Sequence, residues 1–283
     1  MLKGDNLSKH YKSGTALDAF SITIEPGKIY GLLGRNGAGK TTLFKILCGL
    51  IHPNSGKVIL ESGKSKPIGG IIERPGLYNY LNAYDNLKIF AGIQNAPTDI
   101  ASLQQVLTRV GLPTDRRDPV RNFSLGMKQR LGIAIALLNN PDYLVLDEPF
   151  SGLDTTGVAS LIQLIRQLAE KENIGILLSS HLLSELGKCC HYLYVIENGK
   201  LVNNGETNAM IASHITTHTL TGPNLETSAL LKQYNAVTGL NSVTISCASA
   251  DIPQLLTALL QEGITVTGCI PELTLEQLLK TTA

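Results

Sequence analysis

The run Gly34-Arg35-Asn36-Gly37-Ala38-Gly39-Lys40-Thr41-Thr42 matches the spacing G-x-x-x-x-G-K-[ST], which requires a strand before it and a helix after it. Both flanks fit: Lys28 to Leu33 reads as a buried strand, and Thr41 to Leu47 reads as a helix. The glycines let successive backbone N–H groups turn toward one anion, which then sits at a helix N-terminus carrying roughly half a positive charge. Lys40 is placed to reach the β- and γ-phosphates of a nucleotide, and the Thr41 hydroxyl to help hold Mg²⁺. The competing reading, a glycine-rich loop with a purely structural job, loses ground as further motifs follow in order.

The first of these is the apolar strand Tyr143-Leu144-Val145-Leu146, which delivers Asp147 and Glu148 to its C-terminal end, the edge at which open α/β sheets bind ligands. Asp147 suits contact with Mg²⁺, and Glu148 suits polarisation of an attacking water. Ser180-His181 follows the next strand, Gly175 to Ser179, so the imidazole reaches the same edge. A lone histidine fits a surface role as well, but this place makes it a candidate donor to the γ-phosphate. Ser124 and Gly126 open a helix in Asn122 to Arg130, Ser124 as its N-cap, which gives a second anion-ready helix start; a cap by itself needs no phosphate. Tyr11 lies in the β-rich N-terminal part, where its ring can stack on adenine or simply pack.

Around these motifs the chain alternates. Leu17 to Ile24 keeps a period of two before the turn at Glu25-Pro26-Gly27, which predicts an antiparallel edge layer. From about 74 to 140 the pattern is helical, with Asn82 able to cap and Ser102 to Val110 repeating apolar residues at helical spacing. Strand, helix and strand order returns from Pro141, through a helix at Val158 to Glu170, and implies a mostly parallel sheet. Tyr192 to Glu197, Asn198-Gly199 and Lys200 to Asn203 predict a hairpin that closes this domain. Beyond 213 the sequence turns polar and Thr-rich, and His214 and His218 read there as solvated linker residues. It then resumes with a strand at Ser242 to Cys247, a capped helix at Asp251 to Gln261, a strand at Ile264 to Thr267 and a helix at Leu273 to Leu279. The expected fold is α/β, with an antiparallel layer and helical insertion in residues 1–213, and a small α+β domain in 214–283.

Composition narrows the uses of such a fold. Lys plus Arg number 24 against 23 Asp plus Glu, so no global field draws the chain to nucleic acid or anionic lipid. The longest apolar runs, such as Ile133 to Leu138, fall far short of the ~20 residues a membrane span needs. Met1 to Asn6 shows no secretory leader, and five scattered cysteines without a C-x-x-C pair suit a reducing compartment as core or surface fillers, so a cytoplasmic place is expected.

Taken in order, the phosphate loop, Ser124-Leu125-Gly126-Met127-Lys128-Gln129, Leu146-Asp147-Glu148-Pro149, Ser151-Gly152-Leu153-Asp154 and His181 resemble the ATP-binding cassette (ABC) ATPases over residues 1 to about 213. The resemblance implies Walker A roles for Lys40 and Thr41, Walker B roles for Asp147 and Glu148, and signature roles for Ser124 and Gly126. It also implies a D-loop role for Asp154, a switch role for His181 and adenine stacking for Tyr11. It further implies ATP and Mg²⁺ as cofactors and a head-to-tail dimer with a second cassette chain, homodimer or heterodimer. Integral membrane permease subunits are the other implied partners, docking at Glu73 to Leu87 and holding the chain on the inner face of the cell membrane. Leu125 and Met127 depart from the usual glycine and glutamine of the signature. Glu73 replaces the usual Mg²⁺-contacting Q-loop glutamine, and either binds the metal more tightly or changes how the helical segment senses the nucleotide. Glutamate there resembles cassettes of bacitracin and lantibiotic self-protection exporters, and the tail Leu273 to Leu279 is similar to drug-exporter cassettes. The expected function is ATP hydrolysis coupled to export. The alternative, a cassette acting on ribosomes or nucleic acid, is disfavoured by the single cassette and by the absence of sustained heptads between Thr41 and Ser124.

Overall fold

In the computed structural model, which describes residues 1–73, 75–273 and 275–279, the period-two alternation of the N-terminal part folds as β1 (Leu2–Tyr11) and β2 (Gly14–Ile24). Arg74, Thr274 and 280–283, parts of the expected helical insertion and terminal domain, lie outside the described residues. β1 and β2 pair antiparallel with Leu2 opposite Ile24, and their buried side chains Leu7, Leu17, Phe20 and Ile22 point to one core. The next elements are β3 (Ile29–Leu33), α1 (Lys40–Leu47), β4 (Ser55–Leu60) and β5 (Ile68–Ile71). β4 completes the antiparallel layer on the free edge of β1, in the order β2-β1-β4.

Helices follow, as the sequence predicts. α2 (Ala83–Ile93) begins at Asn82, whose side chain accepts from the Asp85 amide at 2.8 Å, and α3 (Ile100–Arg109) at Asp99, which accepts from Ser102 at 2.9 Å. α4 (Leu125–Ala136) is capped by Ser124, which accepts from the Met127 amide at 3.3 Å. Each cap satisfies an amide that has no partner within its helix.

The chain then alternates through β6 (Tyr143–Leu146), α5 (Thr155–Glu172), β7 (Gly175–Ser180), α6 (Leu183–Cys189), β8 (Tyr192–Glu197) and β9 (Lys200–Glu206). The six-stranded sheet runs β5-β6-β7-β3-β8-β9, parallel except for the β8–β9 hairpin. That hairpin turns on Asn198 and Gly199, both with positive φ, the geometry such a two-residue turn requires. β3, β6 and β7 are buried at every residue, as strands covered on both faces must be. The register sets Leu33 beside Ser180 and Leu146 beside Leu178, so the residues following β3, β6 and β7 emerge along one sheet edge.

Between the two sheets, Leu43, Phe44 and Leu47 of α1 pack with Phe20, Tyr143, Tyr194 and Ile196. Cys189 and Cys190 are buried, burial pushes the Cys190 thiol well above its ordinary value, and burial pushes Cys48 up to about 12. These thiols are packing residues. No helix among the described residues is long and apolar enough to cross a membrane.

Two compact units divide the chain, Met1–Glu206 and Thr207–Ala283, so α7 (Thr207–His214) groups with the second. The remaining elements there are β10 (Thr217–Thr221), β11 (Val237–Gly239), β12 (Ser242–Ser246), α8 (Ile252–Gln261), β13 (Gly268–Glu272) and α9 (Leu275–Leu279). Its antiparallel sheet runs β11-β12-β10-β13 around a core that includes Leu220, Val243, Ile245, Leu255 and Leu259. Three sequence expectations change here. The Thr-rich stretch is the central strand β10, and His218 in it is buried rather than solvated, because threonine fits a pleated surface and its alternation puts His218 on the core side with Leu220. The strand expected at Ile264 to Thr267 instead lies at Gly268–Glu272, where Cys269 pairs with Leu220. Asp251 stands at the start of α8 without a side-chain capping bond.

Phe44 is fully buried and ties the helix after the phosphate loop to both sheets. Phe44→Ala is expected to cost about 3–5 kcal/mol in urea unfolding followed by circular dichroism; a loss near zero would mean that α1 is not held by this core.

Candidate functional site

Gly39 starts α1 at φ 111°, and a Cβ there would lie 2.4 Å from the Ala16 carbonyl, so this position needs glycine for both conformation and room. Lacking a side-chain oxygen, Gly39 leaves the first turn of α1 without a side-chain cap, in the arrangement that receives an anion. An open cleft of about 750 Å³ lies against it, lined by Arg35, Asn36, Gly37, Gly39, Lys40, Thr41 and Thr42 on one side and by Asp147 and Glu148 on another. Glu73, Leu77 and Asn79 also line it, as do Leu125, Lys128 and Gln129 of α4.

Inside the cleft the charges are arranged against one another. Lys40 is buried; its ammonium donates to the Gly34 carbonyl at 2.6 Å and stands 3.2 Å from Glu148 Oε1. That Oε1 is buried with the ion pair but without a hydrogen bond of good geometry, while Oε2 lies 3.0 Å from His181 Nδ1. An ionised carboxylate only accepts, so the tautomer that fits carries its proton on Nδ1. Thr41 Oγ1 donates to Asp147 Oδ2 at 2.8 Å, which sets two hard oxygen ligands side by side and fits a divalent cation such as Mg²⁺. Among the described residues no group of three or more His, Cys, Asp or Glu gathers as a metal site, so the cation these two oxygens fit would take its remaining ligands from other sources.

Sequence reading missed the residue that organises these acids. Ser179, fully buried in β7, donates to Asp147 Oδ1 at 2.6 Å and accepts from the Glu148 amide at 2.8 Å. The signal available was its register, since the strand predicted at Gly175 to Ser179 runs one residue past the position level with Leu146 and so ends beside Asp147. Glu148 itself has φ 47°. Among described non-glycine residues with positive φ all are asparagine except Ala19, Glu73 and Glu148, so two of the three exceptions are carboxylates of this cleft.

Other expected residues fall in different places. Glu73 lines the cleft, but its carboxylate is bonded to Lys45 at 2.9 Å rather than joined to Thr41 and Asp147. Tyr11 is exposed at the end of β1 and does not line the cleft, although the hairpin it belongs to brings Ala16 there. Its ring lies under the Lys9 ammonium at 5.6 Å. Ser124 is exposed, and neither it nor Gly126 lines the cleft. Asp154 is the N-cap of α5, accepting from Gly157 at 2.6 Å. Met127 has a partner that sequence did not suggest: Arg116, paired with Asp118, donates to Met127 Sδ at 3.2 Å and lies over the Phe123 ring at 4.7 Å. The hydrogen bond from Arg116 holds the Asp118 carboxyl below the usual carboxylate range.

Residues 17–151 match the family model described as ABC transporter. The chain is 42% identical over 207 residues to the lantibiotic transport ATP-binding protein SrtF of Streptococcus pyogenes, a match covering 71% of this chain and 89% of SrtF. It is 44% identical over 210 residues to the bacitracin transport ATP-binding protein BcrA of Bacillus licheniformis, covering 71% of this chain and 68% of BcrA. Among solved structures, CbiO1 of Clostridium perfringens, part of an ABC transporter complex, superposes with a TM-score of 0.67 at 27% identity, over 75% of this chain and 90% of CbiO1.

Removing the Ser179 hydroxyl leaves one buried acceptor and one buried donor without a partner. Ser179→Ala is expected to cost about 1–3 kcal/mol in urea unfolding. A change within about 0.5 kcal/mol would show that this hydroxyl does not hold the two acidic residues in place.

Proposed function

The chain belongs to the ATP-binding proteins of ABC transporters, and from that premise we propose that it is the ATPase subunit of an exporter for antibiotic, peptide or drug-like cargo. Binding and hydrolysis of ATP follow from the family. Cargo class is supported by the likeness to two proteins named for lantibiotic and bacitracin transport.

The observation that carries the hydrolytic reading is the Glu148 carboxylate held between the Lys40 ammonium and the His181 imidazole at the mouth of the phosphate loop. Glu148 polarises the attacking water, His181 orients that carboxylate and meets the γ-phosphate, and Lys40 neutralises the β- and γ-phosphates. Gly34 to Thr42 cradle the nucleotide. Thr41 and Asp147 would hold Mg²⁺, which when bound neutralises charge on the phosphate oxygens. Tyr11 is assigned to stack on adenine.

Proteins of this family work as dimers with membrane permease subunits. For this chain the arrangement proposed is a head-to-tail homodimer, in which Ser124, Gly126 and Asp154 of one copy meet the nucleotide of the other; the exposure of Ser124 outside its own cleft supports this. The first unit is the ATP-binding domain and the second an accessory domain. Separate permease subunits keep the chain on the inner face of the cell membrane and dock on the segment from Glu73 to Leu87.

Glu148→Gln is expected to retain ATP binding while lowering phosphate release about 10²–10⁴-fold; an unchanged turnover would remove the base role. For docking, Leu77 lines the nucleotide cleft and Tyr78 packs on Phe90 at 5.9 Å, whereas the Tyr80 ring is 70% exposed. Tyr80→Asp is therefore expected to abolish co-purification with the membrane subunit while leaving ATP affinity within about twofold, since an exposed side chain away from the cleft carries little of its stability. Equal loss of nucleotide affinity would overturn the docking assignment.

A further inference from the structure

Glu73 is in the left-handed region at φ 66°, a conformation that a glutamate adopts only under constraint. Two residues before it, the Ile71 carbonyl accepts from the Asp147 amide at 2.9 Å, which fixes this stretch of backbone beside the acidic end of β6. Its side chain lines the nucleotide cleft, yet its carboxylate turns to the Lys45 ammonium, 2.9 Å away. Lys45 lies in the last turn of α1, four residues after Thr41. Side chains at that spacing share one helix face and stand about 6 Å apart along the axis. Along this face, Thr41 is therefore bonded to Asp147 and, one turn on, Lys45 to Glu73.

A plain reading makes Lys45–Glu73 a surface ion pair that also answers the helix dipole at the end of α1. That reading accounts for the lysine but not for a strained backbone on the cleft wall. The Glu73 side chain is 67% exposed and that of Lys45 37% exposed, so solvent screens the pair and it is weak enough to be exchanged. Glu73 lines the same cleft as Thr41 and Asp147, so a change of side-chain rotamer is the motion that turns its carboxylate from Lys45 toward them.

We propose that Lys45 is the resting counter-ion of Glu73, and that a divalent cation entering with ATP takes this carboxylate from it. Lys45 is thus a positioning residue that sets how tightly the metal is held. The inference rests on the ATPase reading above. It follows that the carboxylate at the Q-loop position is not a free extra charge on the cleft: it is paired with Lys45 until a dication takes the place of that ammonium.

The test is an electron paramagnetic resonance titration of Mn²⁺ into the full chain saturated with a non-hydrolysable ATP analogue. Lys45→Gln is expected to lower the half-saturating Mn²⁺ concentration about three- to fivefold, the factor that loss of a competing surface ion pair allows. In a Glu73→Gln background the same substitution is expected to have no effect, and Lys45→Arg, which keeps the cation, is expected to stay near the unsubstituted chain. Circular dichroism establishes that each variant is folded. A shift of the same size in both backgrounds, or none in either, overturns the proposal. Failure of the unsubstituted chain to bind Mn²⁺ in a nucleotide-dependent way removes the ATPase reading, and this inference with it.

Discussion

The hydrogen bond from Thr41 to Asp147 joins the helix after β3 to the residue after β6, and Ser179 extends the connection to β7. Three chain segments far apart in sequence are thereby fixed at one sheet edge within hydrogen-bonding distance. Burial makes this chain effective, because a buried polar atom that loses its partner keeps its full desolvation cost. The Lys40–Glu148–His181 arrangement depends on it in turn. The Glu148 amide is held by Ser179, and with the residue's positive φ this turns the carboxylate toward Lys40 rather than along the strand. The α/β core acts on function through these few bonds: Phe44 and Tyr143 set the spacing of layers, and the hydroxyls convert that spacing into the positions of charges.

Most of the first unit was legible because its signals are local. Periodicity, glycine spacing and capping residues are readable over a few neighbours, and β6, the hairpin at Asn198-Gly199 and the caps at Asn82 and Ser124 lie where they were expected. The placement of Lys40, Thr41, Asp147, Glu148 and His181 at one edge follows from parallel strand order alone. What could not be read depended on pairing across the chain. Ser179 looked like the end of an apolar strand, because nothing local tells that its hydroxyl will face the Asp147 carboxylate and the Glu148 amide. Nothing in the helix at Thr41 to Leu47 singles out Lys45 either, since its partner lies 28 residues downstream.

The second unit was read less well for the same reason. β10 has no apolar run, only alternation of threonine with His218 and Leu220, and it becomes a central strand because β12 and β13 supply pairing on both sides. Strand propensity in threonine is the clue such a stretch carries, and its polarity masks it. A strand displaced from Ile264–Thr267 to Gly268–Glu272 shows how weakly a short segment fixes its own register when the neighbour that decides it is distant.

The double bonding of Ser179 also has a meaning for how such a chain can change over generations. Ser179 donates to the Asp147 side chain, so the fitness effect of an exchange at either is conditional on the other, whereas the Glu148 amide is backbone and keeps its bond to Ser179 whatever side chain stands there. A serine near the end of a strand, directly after three aliphatic residues, is in this sense epistatically tied: the aliphatic positions can drift among residues of similar volume, while this one is held by the Asp147 carboxylate and the Glu148 amide rather than by the space it fills.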